Sequence, residues 1–185
     1  MLEDTLNKVT AFASQAHAGQ QRKFAPEPYI VHPIRVMELC RQYSNDISVL
    51  SAALLHDLLE DTPVTRDEMD VFLRTVMSEK DAAQTVQMVV ELTDVFIKKN
   101  YPEWNRRKRR KMEAERLSKI SAGGQTVKYA DILDNSLDIV NVENDFAKKY
   151  LEECLEILHA MQKGSRPLYE RALETVKDCM QKVKI

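Results

Sequence analysis

A histidine and three carboxylates follow directly on an apolar run, and they are the residues of this chain best suited to chemistry. Residues 49–55 read VLSAALL, and His56, Asp57, Glu60 and Asp61 come next. A run that is apolar nearly all round predicts a central, buried helix, which would carry four polar groups to the edge of the core. Burial of such groups without partners is costly, and a divalent cation would offset that cost. The plainer alternative is a histidine packed at the core edge, with the carboxylates solvated at a helix end.

Helical spacing would bring these groups onto related faces. His56 and Asp57 are adjacent, so they diverge by about 100° on a helix and could each contact one side of a metal ion. Glu60 comes four residues after His56 and Asp61 four residues after Asp57, which places each carboxylate over its partner one turn later.

Two further segments contain polar residues that suit a metal site. His32 stands just before Pro33, where a second helix is predicted to begin. Asp131 lies inside an otherwise apolar predicted helix, and Asn135 follows one turn later. Two imidazoles and two carboxylates suit Mn²⁺, Fe²⁺, Co²⁺ or Zn²⁺ better than Ca²⁺. The candidate ligands are His32, His56, Asp57 and Asp131.

The order of these motifs resembles the HD-domain metal-dependent phosphohydrolases, and most of all the hydrolase domain of RelA/SpoT proteins. The similarity covers roughly residues 5–160, and the segments that carry it are AHAGQQRK at 16–23, PYIVHP at 28–33, AALLHDLLEDT at 52–62, LTD at 92–94 and VKYAD at 127–131. The resemblance implies a small alarmone hydrolase, which removes the 3′-pyrophosphate of (p)ppGpp to leave GDP or GTP and uses Mn²⁺ or another divalent transition metal.

The resemblance also implies a role for each matching residue. The Mn²⁺ ligands would be His32, His56, Asp57 and Asp131. The residues that orient and activate the attacking water, or support it beside the metal, would be Glu60, Asp61 and Asn135. The substrate-binding residues would be Arg22, Lys23, Arg110, Lys148 and Tyr150.

The residues expected to contact the nucleotide depart from the family pattern. Ile132 replaces the lysine or arginine that usually follows the last metal aspartate, and Asp134 replaces a tyrosine or histidine. Where the family has an arginine and a tyrosine one turn apart, this chain has Phe146 and Tyr150, with Lys148 among the nearest bases. The resemblance is therefore closer at the metal ligands than at the residues that would contact the nucleotide.

Six consecutive cations form the run RRKRRK at residues 106–111. On a helix they would surround the axis, so a solvated face is the plainer interpretation. The alternatives are a rim that attracts a polyphosphate and a small nucleic-acid patch. Arg110 belongs to a stretch, Arg110-Lys111-Met112, that resembles the RelA/SpoT hydrolase domains, which favours the pocket interpretation for this residue.

Several functions remain open on the sequence alone. The enzyme hypotheses are hydrolysis of (p)ppGpp, of a pppApp-like alarmone, of the 2′-phosphate of NADPH, or of a nucleoside monophosphate. A hypothesis of another class is a non-catalytic HD module that senses a nucleotide. Glu60, Asp61 and Asn135 are all present, which favours the enzyme. His17 and Trp104 are interpreted as packing residues rather than as a ligand and a base-stacking residue.

Composition determines which elements must position these groups. The chain has 185 residues, 44% of them hydrophobic, a net charge of −2, and only 4 glycines and 6 prolines. So few glycines and prolines leave long stretches without turn residues, which predicts helices rather than a β-sandwich. We expect one all-α HD-type domain over residues 1–185 with about eight or more helices, the last at 166–183. Other helices are predicted near 1–18, from 33, from 46–48 through 61, from 65, and at 79–93, 103–120, 125–140 and 145–162.

The charge, the N-terminus and the cysteine count indicate where the protein resides and what it binds. The acidic N-terminus lacks the features of a signal peptide, and no apolar stretch is long enough to span a membrane. Three cysteines without CxxC spacing indicate a reduced, cytoplasmic protein. The expected partner is a small nucleotide, binding of nucleic acid is not expected overall, and the oligomeric state is left open.

Overall fold

The computed structural model describes residues 2–23, 25–140 and 145–183, and in these ranges it is built from helices. The all-α prediction is confirmed. Within the described ranges the backbone forms a single isolated β-bridge, between Gln21 and Pro28, and no strand. The helices are α1 (Leu2–Ala16), α2 (Val31–Arg41), α3 (Ile47–Leu55), α4 (Leu58–Asp61), α5 (Arg66–Val76), α6 (Glu79–Leu92), α7 (Arg106–Leu117), α8 (Ala122–Ile139), α9 (Asp145–Ala160) and α10 (Arg166–Val183).

The chain divides into two compact units, residues 1–93 and 94–185. In the first unit α3 is the central helix, since every residue from Ser48 to Leu55 is buried and the helix packs against α1, α2 and α6. Its N-terminus is capped by Asp46, whose side chain accepts from the N–H of Ser48. The capping box predicted at Thr65 and Glu68 is present and begins α5.

Two helix boundaries near the predicted site differ from the sequence prediction. Helix α2 begins at Val31, so His32 lies in its first turn, not before it. Pro33 is accepted there because a first-turn residue has no intrahelical bond for its missing N–H to make. The apolar helix does not continue to Asp61 but ends at Leu55. A turn at His56 and Asp57 separates it from the short helix α4, and the N–H of Asp61 bonds the carbonyl of Asp57 at 2.9 Å.

In the second unit α8 is the most buried helix, and it packs against α10 and α9. It begins at Ala122 with Ser121 as its N-cap, so the glycine pair at 123–124 forms part of its first turn instead of preceding it. Helix α7 begins at Arg106 with Asn105 as its N-cap, later than predicted.

An aromatic cluster precedes α7. The Trp104 ring stacks on Tyr101 with centroids 4.5 Å apart and on Phe96 at 5.9 Å, and Lys108 lies 4.0 Å over it. The packing role predicted for Trp104 therefore fits its surroundings. Among the described residues, no helix is both long and apolar enough to cross a membrane.

Candidate metal centre

Three of the predicted ligands come together in the first unit. His32 comes from the first turn of α2, while His56 and Asp57 come from the turn between α3 and α4. One donor atom of each lies within 4.8 Å of the others. Both imidazoles are buried, and the Asp57 side chain is 21% exposed. The break after Leu55 thus brings a neighbouring histidine and aspartate to one point.

The orientation of His56 prepares it to bind a cation. Its Nδ1 lies 2.8 Å from the carbonyl oxygen of Ala53, which can only accept, so Nδ1 carries the proton. In the neutral ring Nε2 then presents a lone pair, and it lies 3.0 Å from Oδ2 of Asp57. Two acceptors at this distance repel each other unless a proton or a metal ion lies between them. A histidine whose other nitrogen binds a backbone carbonyl is typical of metal sites.

The second imidazole approaches the same carboxylate. Nε2 of His32 lies 3.7 Å from Oδ2 of Asp57, and the two imidazole rings meet edge to face with centroids 5.1 Å apart. Two ligands bound at about 2.1 Å and at a right angle would be about 3 Å apart, which matches the separation between His56 and Asp57. The donor set and its spacing therefore fit a divalent transition metal.

Tyr29 contacts this centre, and the sequence analysis assigned it no role. Its hydroxyl lies 2.6 Å from Oδ2 of Asp57 and 2.9 Å from Oδ2 of Asp61. Burial and the charge of Asp57 raise the pKa of Tyr29 well above its ordinary value, so the phenol stays a donor at neutral pH. The one available signal was its place in the PYIVHP motif.

The two acidic residues of α4 lie beside the ligands. Glu60 and Asp61 are both exposed on this short helix. The pKa of Asp61 is raised by partial desolvation of its carboxyl group and by the nearby charge of Asp57, while the hydrogen bond from Tyr29 lowers it. Both carboxylates are therefore accessible to a water molecule or substrate near the cluster.

The predicted basic pair follows α1 in the same unit. The guanidinium of Arg22 lies over the ring of Tyr29, 5.8 Å from its centroid, and Lys23 is exposed. The Gln21–Pro28 bridge closes the loop that carries both cations. The loop therefore holds Arg22 near a residue that contacts the metal ligands.

The remaining predicted metal and catalytic residues lie on α8, in the second unit. Asp131 is buried, and one of its oxygens accepts from Nδ2 of Asn135 at 2.6 Å. Lys128 pairs with its other oxygen at 2.9 Å. Asn135, predicted one turn after Asp131, thus contacts it, and Lys128 is a contact that sequence reasoning missed although it lies in the VKYAD motif.

The other predicted substrate residues lie on α7 and α9. Tyr150 is half-buried and burial raises its pKa well above the ordinary value, whereas Lys148 is exposed. Arg110 lies 3.4 Å from both Asp94 and Glu153.

Part of the basic run is paired instead of fully solvated. Arg106 makes two hydrogen bonds to Glu153, at 2.6 and 2.7 Å, and lies over the Phe146 ring at 5.5 Å. Together with Arg109 and Arg110 it lines a small cavity of about 200 Å³, and the other lining residues are Asp94, Phe96, Ile97 and Lys98. These contacts modify the expectation of a solvated face: Arg107 is exposed, while Lys108 is exposed but lies over the Trp104 ring.

The chain is similar to known proteins in sequence and in fold. The family model of the HD domain matches residues 29–136, which is more than half of the chain. The chain belongs to the HD-domain family. This HD-domain protein is 33% identical over 168 residues to the human guanosine-3′,5′-bis(diphosphate) 3′-pyrophosphohydrolase MESH1, with 86% of each chain covered.

The HD-domain protein is also similar to a second relative and to a solved structure. It is 32% identical to the bifunctional (p)ppGpp synthase/hydrolase SpoT of Escherichia coli over 158 residues, which are 82% of this chain and 20% of SpoT. A solved structure described as a metazoan ortholog of SpoT that hydrolyses ppGpp matches with a TM-score of 0.76. That match covers 94% of both chains at 23% identity and shows a shared fold.

Proposed function

We propose that this protein is a Mn²⁺-dependent phosphohydrolase that converts (p)ppGpp to GDP or GTP and pyrophosphate. The observation that carries the proposal is the grouping of His32, His56 and Asp57, with the lone pair of His56 directed at a carboxylate 3.0 Å away. Similarity to MESH1 over 86% of both chains supports the choice of substrate.

The metal would be held by two histidines and two aspartates. We propose that His32, His56 and Asp57 bind Mn²⁺ and that Asp131 is the fourth ligand. The burial of Asp131 and its bond to Asn135 support this assignment, because an aspartate held by an amide donor has a defined direction. When bound, Mn²⁺ would acidify a water molecule and neutralise phosphate charge.

Glu60 and Asp61 would position and deprotonate the attacking water. Glu60 would orient the attacking water and accept its proton, and Asp61 would hold the same water from the adjacent position. The water oxygen forms a bond to the phosphorus nearest the ribose, and the bond from that phosphorus to the 3′ oxygen breaks. A proton then completes the 3′ hydroxyl, and pyrophosphate leaves.

The cations of the chain would bind the phosphates. We propose that Arg22 and Lys23 are the main electrostatic contact, because phosphate is bound well by paired charge-assisted hydrogen bonds. Arg110, Lys148 and Tyr150 are proposed to contact the nucleotide from α7 and α9. Three cysteines that are all buried free thiols support a reducing, cytoplasmic setting.

A second substrate is favoured by one observation. Phe146 stands where the family has an arginine, and the Arg106 guanidinium that lies over its ring is already paired with Glu153. A nucleotide other than (p)ppGpp, such as pppApp, NADPH or a nucleoside monophosphate, would be read by different contacts.

The test is a release assay for phosphate and pyrophosphate over ppGpp, pppApp, NADPH and nucleoside monophosphates in the presence of Mn²⁺. We expect pyrophosphate release from ppGpp with the highest kcat/KM. The matched control is His56→Ala, which should release nothing. Binding of ppGpp without turnover in the wild type would instead identify a nucleotide-sensing module.

A further inference from the structure

Three polar side chains, His17, Gln20 and Tyr29, form a connected set next to the candidate metal ligands in the first unit. His17, at the end of α1, is only 3% exposed. Its Nδ1 lies 2.8 Å from Oε1 of Gln20, and Nε2 of Gln20 donates to the carbonyl of Asp61 at 2.7 Å. The second bond fixes the orientation of the Gln20 amide, so Oε1 accepts and His17 Nδ1 donates.

His17 holds the ring of Tyr29. The two rings are stacked, with centroids 4.8 Å apart and planes 27° from parallel. The Nε2 atom of His17 is buried and has no hydrogen-bond partner among the described residues. The ring of His17 therefore acts through its stack on Tyr29 and through its bond to Gln20.

Tyr29 in turn joins two carboxylates with different roles. Its single phenolic proton is shared between Asp57 at 2.6 Å and Asp61 at 2.9 Å. The two carboxylates carry like charges, so they would turn apart if the hydroxyl that lies between them were removed. Asp57 would then lose the direction that keeps Oδ2 3.0 Å from Nε2 of His56.

We infer that Tyr29 is a positioning residue that fixes the Asp57 carboxylate for metal binding, and that His17 acts through it. This inference rests on the proposed function, because it assumes that the cluster binds Mn²⁺. Removal of a hydrogen-bond partner from a metal ligand usually costs about 10–100-fold in metal affinity. Tyr29 donates to Asp57 from 28 positions earlier in the chain, while the Ala53 carbonyl holds the neighbouring His56.

The decisive variant is Tyr29→Phe, which keeps the ring and its stack but removes the hydroxyl. The measurement is Mn²⁺ affinity of the full chain by titration calorimetry, together with the electron paramagnetic resonance spectrum of bound Mn²⁺ and the Tm without metal. We expect the Kd for Mn²⁺ to rise about 10–100-fold and the spectrum to change, with little change in the metal-free Tm. Tyr101→Phe, which removes a phenol from the second unit, is the matched control and should bind as the wild type does.

A second variant tests the part assigned to His17. His17→Phe keeps a ring against Tyr29 but loses the bond to Gln20, so its loss of Mn²⁺ affinity should be smaller than that of Tyr29→Phe. Wild-type affinity and spectrum in Tyr29→Phe, or an equal loss in Tyr101→Phe, would overturn the inference.

Absence of Mn²⁺ binding by the wild-type chain would overturn both the inference and the proposed function. If the wild type binds Mn²⁺ and Tyr29→Phe binds it weakly while no nucleotide is hydrolysed, the proposed function fails and the positioning role stands. Because the affinity is measured without substrate, failure of the positioning role can be told apart from failure of the hydrolase activity.

Discussion

Glu60 and Asp57 lie on the same short stretch of chain but face different surroundings. Asp57 is surrounded by two imidazoles and a phenol, whereas Glu60 is exposed on α4. We therefore expect Glu60→Gln to keep the metal and the fold and to lower kcat about 10²–10⁴-fold, the usual weight of general acid–base catalysis. The measurement is kcat at saturating Mn²⁺ alongside metal titration. Turnover at the wild-type rate would show that the proton goes elsewhere.

Lys23 and Arg107 are both exposed cations, but only Lys23 belongs to the loop that leads to the candidate ligand His32. Charge-assisted contacts to phosphate are worth about 1.5–3 kcal/mol, so Lys23→Ala should lower kcat/KM about 10- to 150-fold. The loss should shrink at high ionic strength, since salt screens the contact in the wild type as well. Arg107→Ala is the matched control and should have little effect. Equal, small losses in both variants would place the phosphate contact elsewhere.

At the residue scale, the sequence predicted the grouping of His32, His56 and Asp57 and missed the phenol that contacts it. The HD pair and the histidine of PYIVHP were recognisable because metal chemistry needs those residue types. Tyr29 was not, because a phenol has many uses and its partner Asp57 is 28 positions away. The Tyr29 hydroxyl reaches Asp57 only in the folded chain, where the loop between α1 and α2 places the two residues together.

Among the elements, the junction between α9 and α10 depends on close backbone packing. A Cβ added at Gly164 would lie 2.5 Å from Cε2 of Tyr129 and 2.8 Å from the backbone N of Thr126. Since Tyr129 is fully buried on α8, it has little room to move. Gly164→Ala should therefore lower the free energy of unfolding by about 1–3 kcal/mol, as overpacking does.

Urea unfolding measures that change, and Ser165→Ala is its control. Ser165 contacts Thr126 through its backbone N–H, a bond that the substitution leaves in place. If Gly164→Ala were as stable as the control, Tyr129 would have to shift at no cost in free energy.

The elements also show where sequence patterns mislead. Leu58 and Leu59 continue the apolar pattern of α3, so the sequence predicted one helix through Asp61. The chain instead turns at His56 and Asp57, without glycine or proline, and this turn brings both side chains to one cluster. Capping signals were more reliable, as the box at Thr65 shows, because they depend on contacts within one turn.

For the whole molecule, metal binding should contribute to stability. A ligand that binds only the folded state at 100 times its Kd adds about 2.7 kcal/mol, which corresponds to a rise in Tm of about 5–10 °C for a chain of this size. We expect this rise with Mn²⁺ in the wild type and not in His56→Ala. A thermal scan with and without Mn²⁺ measures it, and an undiminished rise in His56→Ala would remove that residue from the site.

Asp131→Asn extends the same measurement to the second unit. If Asp131 is the fourth ligand, the variant should need more Mn²⁺ to reach the same rise in Tm. An unchanged titration would mean that only His32, His56 and Asp57 of the proposed set bind Mn²⁺.

At this scale the low glycine and proline content predicted the fold class, and the division into two units was not predicted. The boundary at Thr93 and Asp94 lies in the LTD motif and has no flexible linker to indicate it. The contacts that define each unit join helices distant in sequence, such as α8 and α10, and composition does not report such pairs.

The aromatic cluster before α7 makes the two units optically distinct. Trp104 is the only tryptophan of the chain and lies in the second unit, between Tyr101 and Phe96. Its fluorescence therefore records the melting of residues 94–185, while circular dichroism at 222 nm sums the helices of both units. Superimposed melting curves from the two signals would mean that the units unfold together, and separate curves would reveal a partly folded intermediate in which one unit persists.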